Sequence, residues 1–193
     1  MNIGGIANIT VLGDRLIGYD TGCGNVLLDL WVAEHQGAPY DEDGEWARSG
    51  SVDYGLLDRM MADSYFEQSY PKSTGREKFN KVWLQCHLAG ATHNPEDVQR
   101  TLLEFTALSI SNEVLRFNRD MVMLCGGGAK NIFLVERIKA LMPNIEVSIA
   151  TNADEIEAMT FAWLAYKRLH HEKVNLKDVT GARENAVLGG IYA

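Results

Sequence analysis

Three short stretches carry residues that could do chemistry: "MNIGGIANIT" at 1–10, "DTGCGN" at 20–25 and "CGGGAKN" at 125–131. In the first, Gly4-Gly5 joins two strand-like runs, with Asn8 in the second. Glycine reaches φ > 0 and has no Cβ, so the amides of such a turn can form a shallow cup for a phosphate. A tight hairpin with no ligand has the same sequence. In the second, Asp20 leaves a strand, Gly22 and Gly24 free the backbone around Thr21, and a helix starts just after Asn25. Amides at a helix start favour an anion, and a carboxylate at Asp20 could hold Mg²⁺ through water or orient a hydroxyl. A capped helix with turn glycines is the alternative. In the third, Gly126, Gly127 and Gly128 separate a strand from a helix, with Asn131 following, and a flat nucleobase or ribose could lie against such bare backbone.

Familiar nucleotide signatures do not fit these stretches. Gly126 and Gly128 match G-x-G, but Asn131 stands where the third glycine of a dinucleotide loop belongs, and no carboxylate marks the end of the next strand. No GxxxxGK[ST] segment is present, which excludes a P-loop. Glu157, early in the last helix, could bind a sugar hydroxyl or simply be a solvated first-turn acid. Lys72, Arg76 and Lys78 in "PKSTGREK" could meet an anionic substrate or a partner subunit, or form a basic loop without a role. The acidic run Asp41–Glu45 lacks calcium-loop spacing and reads as solvated. The five histidines have no metal-ligand spacing, with His170-His171 an exposed helix end, and no Ser–His–Asp or Cys–His pattern is defensible.

The elements that must position these residues follow from pattern. Met1–Ile3, Ile9–Leu12 and Arg15–Tyr19 read as strands, and Leu27, Leu28, Trp31 and Val32 recur at helical spacing up to Gly37. Residues 40–94 are irregular, charged and aromatic, with a short helical pattern at 56–61. A long helix over 95–117 is signalled by Asn94 as N-cap, Pro95 at its first position and Glu96-Asp97 in its first turn; apolar residues on several faces predict that it is buried. Met121–Leu124 is a strand, 132–141 a helix and Ile145–Ile149 a strand. Residues 155–170 form a last helix, with Ile156, Met159, Trp163 and Tyr166 on one stripe expected to face the core. The order is βββα, a helical insertion at about 40–94, then βαβα: an α/β protein with a mixed sheet.

Composition bounds the rest. At 193 residues and 46% hydrophobic the chain can build one core. A net charge of −8 argues against nucleic acid or an anionic membrane as main partner. No apolar run approaches the roughly 20 residues that span a bilayer. Cys23, Cys86 and Cys125 are too few for a disulfide framework, so a cytoplasmic location is expected.

Taken in order, "NIGGIANIT", "GYDTGCGNVLLDLW", "PKSTGREKFN", "CGGGAKNIFLVERI" and "EAMTFAWLA" resemble the anhydro-N-acetylmuramic acid kinase family over nearly the whole chain. The resemblance implies an RNase H-like lobe of the actin, sugar-kinase and heat-shock chaperone superfamily, with ATP and Mg²⁺ as cofactors and a small amino sugar as substrate. It implies hydrolytic opening of 1,6-anhydro-N-acetylmuramic acid with phosphorylation at O6, a step of cell-wall recycling. By resemblance, Gly4 and Gly5 running on to Asn8 are the second phosphate loop. Asp20, Thr21, Gly22, Gly24 and Asn25 lie beside the phosphates, Gly126, Gly127, Gly128 and Asn131 meet adenosine, and Glu157 contacts the sugar. Cys23 departs from the family's usual proline and would leave a thiol near the phosphates. The family's first phosphate loop and the segment with its catalytic base have no counterpart in 1–193 and belong upstream of Met1. The chain is therefore expected to be a C-terminal lobe, inactive by itself and a homodimer. A non-catalytic nucleotide-binding or dimerisation module, or a kinase for another sugar, are the alternatives.

Overall fold

The structure is a computed structural model describing residues 1–151 and 155–192, apart from the side chain of Glu157. It opens with a meander in which β1 (Asn2–Ile3), β2 (Ile6–Val11) and β3 (Ile17–Cys23) pair antiparallel in chain order. Along β2, Ala7, Ile9 and Val11 are buried, the alternation of a strand with one face on a core. Later, β4 (Met121–Leu124) and β5 (Glu146–Ile149) pair parallel, connected by a helix. A parallel bridge between Asn2 and Cys125 joins the two sheets. There Ile3 N–H donates to the Cys125 carbonyl at 2.8 Å and Cys125 N–H to that of Met1 at 2.9 Å. The joined order is β3-β2-β1-β4-β5.

The helices are α1 (Val26–Gln36), α2 (Glu45–Ser49), α3 (Tyr54–Met61), α4 (Lys81–Leu88), α5 (Pro95–Leu115), α6 (Ile132–Leu141), α7 (Ile156–Leu169) and α8 (Lys177–Thr180). The long α5 is the centre of the fold. It packs against α1, α2, α3, α6 and β3, and it buries Leu102, Leu103, Phe105 and Ile110 together with polar Thr106 and Ser109. A helix walled on so many sides must be apolar around most of its circumference. Glu104 on α5 accepts from Arg137 of α6 at 2.9 Å on both oxygens, which ties these helices together.

β4, α6 and the position of the α5 start fall where the sequence puts them. Three expectations are corrected. The second strand runs Ile6–Val11 rather than Ile9–Leu12, because its pairing with β3 begins at Ile6 opposite Cys23. The third strand does not break at Tyr19 but continues through Asp20–Cys23. Asn8 pairs with Asp20 and Ala7 with Gly22, so Thr21 is the extra residue of a bulge, and Gly22 has φ +144°. The stripe of α7 does not face a core: Met159 is 56% and Trp163 46% exposed, and Ile156 and Tyr166 are exposed too. Periodicity reveals that a helix has an apolar side, not what covers it, and among the described residues nothing does. The neighbouring surface of β4 is likewise open at Met121 and Met123.

Candidate nucleotide cleft

The first two glycine stretches meet directly. The Gly4 carbonyl accepts from Asn25 N–H at 2.8 Å, and the Gly5 carbonyl accepts from Gly24 N–H at 2.9 Å and Val26 N–H at 3.1 Å. A Cβ on Gly24 would collide with the Gly4 carbonyl oxygen, so only glycine permits this approach. At the start of α1 the N–H groups of Asn25 and Val26 are thus held by main-chain carbonyls of the turn. Because a trans peptide sets C=O and the next N–H on opposite sides, the N–H groups of Gly5 and Ile6 point away from α1.

The third stretch locks onto the same place. Where a Cβ of Gly128 would stand, the Ile3 side chain and Asn25 Oδ1 are already present, the latter at 2.9 Å. Gly127 and Gly128 then line a cavity of about 480 Å³ with Asn25, Leu28, Asp29, Asn131 and the segment 40–43. Four of the candidate residues, Asn25, Gly127, Gly128 and Asn131, are thus brought together. Sequence reading missed the opposite wall, treating Asp41–Glu45 as a solvated run. Instead Asp41 caps the start of α2, accepting at 2.9 Å from the N–H groups of Trp46 and Ala47, and Gln99 donates to it at 3.3 Å. Asn131 likewise caps α6, its Oδ1 accepting from Leu134 N–H at 2.9 Å. Asp29, also missed, is half-buried in the first turn of α1; burial raises its pKa to about 6, against the opposing pull of the Arg76 charge.

Asp20 faces the "PKSTGREK" loop. Its Oδ2 accepts from Ser73 Oγ at 2.8 Å and Thr74 N–H at 2.9 Å, while its carbonyl accepts from Tyr65 Oη at 2.6 Å. Two cations of the loop are paired, Lys72 with buried Glu113 and Lys78 with Asp63. Burial alone would raise the Asp63 carboxyl, but hydrogen bonds from Lys78, Tyr65 N–H and Trp83 outweigh it and hold the pKa down. Arg76 has its guanidinium against Gly5.

The remaining candidates fall elsewhere. Thr21 is buried, with its hydroxyl on the Ala7 carbonyl at 3.2 Å, and Gly22 and Gly24 are buried too. Asn8 and Gly126 line a separate groove of about 880 Å³ over the open sheet face. Cys23 is fully buried and burial pushes its thiol pKa up, so the thiol that the departure from proline introduces is sealed in the core. Glu157 is the second residue of α7, but its side chain lies outside the described residues. Among the described residues no cluster of three or more acidic, histidine or cysteine side chains could hold a metal, and no helix is long and apolar enough to cross a membrane.

A mixed sheet of order β3-β2-β1-β4-β5, with the β4–α6 loop packed on Ile3 of β1 and on Asn25 at the start of α1, defines a lobe of the sugar-kinase and actin class. The profile of the anhydro-N-acetylmuramic acid kinase family matches residues 1–193, and the chain belongs to that family. It is 70% identical over 194 residues to an anhydro-N-acetylmuramic acid kinase of Sulfurovum sp. (strain NBC37-1), covering 100% of this chain and 54% of the relative. It is 48% identical over 201 residues to one from Aliivibrio fischeri and 42% over 204 to one from Sulfurimonas denitrificans, covering 100% of this chain and 55% of each relative. The chain spans about half the length of the curated relatives it matches.

Proposed function

We propose that this chain is the nucleotide-binding lobe of an ATP-dependent kinase that opens 1,6-anhydro-N-acetylmuramic acid with water and phosphorylates O6, giving N-acetylmuramic acid 6-phosphate. The observation that carries the reading is the interlock of three glycine stretches around Asn25, whose N–H is held by the Gly4 carbonyl and whose side chain lines the cavity walled by Gly127 and Gly128. Adenosine lies against Gly127 and Gly128 with Asn131 alongside, and the phosphates run past Asn25 to the Gly4-Gly5 turn. Gly22 and Gly24 serve by letting β3, α1 and the turn come close, not by touching nucleotide.

Asp20 would hold Mg²⁺. Its Oδ1 has no hydrogen-bond partner among the described residues, and Mg²⁺ on nucleotide phosphates needs only one or two carboxylates besides water. When bound, the ion spreads the charge of the transferring phosphoryl group. The chain's own part is positioning: the turn amides orient phosphate, the glycine wall orients the base, and Glu157 is assigned a sugar hydroxyl. The base that activates water is assigned to the part of the relatives that this chain does not match. A cytoplasmic homodimer is the setting we assign, with the open apolar side of α7 as the contact.

The test is incubation of this chain with ATP, Mg²⁺ and the anhydro sugar, with and without a polypeptide carrying the missing half of the Sulfurovum relative. Product is expected only from the mixture. Product from this chain alone, at the rate of an intact relative, overturns the division of labour. Light scattering that finds only monomer overturns the dimer.

A further inference from the structure

We infer that Arg76 is the cation that grips the terminal phosphates of a nucleotide at the Gly4-Gly5 turn, an assignment that rests on the nucleotide reading above. The guanidinium lies on the bare Cα of Gly5. Its Nη2 is 3.3 Å, its Nε 3.6 Å and its Cζ 3.9 Å from where a Cβ of that residue would stand. Nε and Nη2 form the edge with which arginine takes two oxygens of one phosphate, and this edge is the part nearest the turn.

The surroundings fit a cation kept for an anion. Lys72 and Lys78, four residues before it and two after, are committed to Glu113 at 2.7 Å and Asp63 at 2.9 Å. Arg76 is exposed and has no carboxylate within ion-pair distance among the described residues. It is not loosely hung: Asp20 clamps Ser73 and Thr74, and Lys72 anchors the same loop to α5, so less backbone freedom is lost when it grips a ligand. Asp29 is a half-buried carboxyl in the cavity wall that feels the Arg76 charge. The two residues mark the seam where the cavity gives way to the turn. A nucleotide with its base over Gly127 and Gly128 passes Asn25 and Asp29 before its phosphates reach Gly5. The carboxylate of an amino sugar would offer the same anion chemistry, so the test has to separate the two sources.

Adenosine, ATP and inorganic tripolyphosphate are titrated calorimetrically, with no sugar present, into the wild-type chain, R76Q, R76K, D29N and, as a control for bulk charge, R15Q. Losing charge-assisted hydrogen bonds to phosphate should cut the ATP-over-adenosine affinity gain roughly 10- to 100-fold in R76Q and less in R76K. Adenosine affinity should hold in both, and R15Q should behave as wild type. Removing the repelling carboxylate in D29N should tighten tripolyphosphate a few-fold. If R76Q binds adenosine normally and keeps the full ATP gain, Arg76 does not grip phosphate and the nucleotide reading survives without it. If the wild type binds neither adenosine nor ATP, the nucleotide reading fails and takes this assignment with it. Should R76Q not fold by circular dichroism, R76M takes its place. The salt dependence of the wild type adds a check: ATP affinity must fall with ionic strength and adenosine affinity must not.

Discussion

Lys72 Nζ lies 2.7 Å from Glu113 Oε1, with the two side chains 1% and 4% exposed. The pair is fully dressed. Tyr19 Oη donates to Glu113 Oε2 at 2.8 Å, Arg116 Nε lies 3.2 Å from the same oxygen, and Lys72 also donates to the Tyr65 carbonyl at 3.3 Å. Sealed charges are tolerated only with this degree of hydrogen bonding. The pair fixes the 71–80 loop to α5, the same loop whose Ser73 and Thr74 donate to Asp20.

Removing one partner should therefore cost far more than removing both. Glu113→Ala leaves the Lys72 ammonium buried and unpaired, and a loss of about 3–5 kcal/mol is expected. The double change Lys72→Met with Glu113→Leu should recover most of it, since an apolar pair of similar volume needs no solvation. Urea midpoints of the three proteins decide the matter. Equal losses for the single and double variants would mean that packing, not charge, holds this loop.

Asp29 gives the protein a pH dependence of unusual sign for a carboxyl. Its ordinary pKa is 3.8 and burial raises it to about 6, so between these values the folded state holds a proton that the unfolded state has released. This contribution is fully present below about pH 4 and is lost as pH rises through 6. Two units would amount to about 3 kcal/mol unscreened, and for a half-exposed group roughly 1–2 kcal/mol remains. Asp29→Asn should match wild type near pH 4 and exceed it by that amount at pH 7. A stability difference that stays flat across this range would show that Asp29 ionises normally.

The glycines of the interlock separate structural from permissive roles. Gly24→Ala drives a Cβ into the Gly4 carbonyl, and Gly128→Ala drives one into Ile3 and Asn25. Neither neighbour is the flexible end of a long side chain, so backbone must shift, and losses of about 1–3 kcal/mol are expected from overpacking. Gly127→Ala meets only Asn25 Nδ2 at an ordinary 3.6 Å. It should fold normally and, with a methyl in the cavity wall, weaken adenosine. Thermal melts and nucleoside titration of the three variants check the ranking, which fails if Gly127→Ala melts lowest.

What the sequence announced was whatever local pattern controls. Met121–Leu124 and Ile132–Leu141 have the bounds expected of them, because a short apolar strand and an Asn131-capped periodic helix carry their own signals. Asn80 also caps a helix, accepting from Trp83 N–H at 3.1 Å, and could have revealed α4. The continuation of β3 through Asp20–Cys23 was not legible, since the Thr21 bulge is set by the register with β2. Nor could spacing show that Gly4 and Gly5 offer their carbonyls, not their amides, to α1. The acidic wall was lost for a mixed reason: the hydrogen bond from Gln99 to Asp41 is distant in sequence, but those from Trp46 and Ala47 are local and could have revealed the cap of α2.

The cysteines allow a test of where the core begins. Cys86 is exposed, Cys125 half-buried and Cys23 sealed at the end of β3, where burial pushes its thiol away from the reactive thiolate. A thiol reagent in native buffer should modify Cys86 within its ordinary rate and Cys125 more slowly, because Cys125 Sγ also sits 3.5 Å from the Met1 carbonyl. Cys23 should react only at the rate of opening of the β2–β3 region, so its labelling should accelerate with urea in step with unfolding. Quantified by mass spectrometry, this yields one label quickly, a second later and the third with denaturation. Rapid native labelling at Cys23 would mean that the strand carrying Asp20, Thr21 and Gly22 frays, and that the crevice lacks the rigid floor on which both the nucleotide reading and the Arg76 assignment depend.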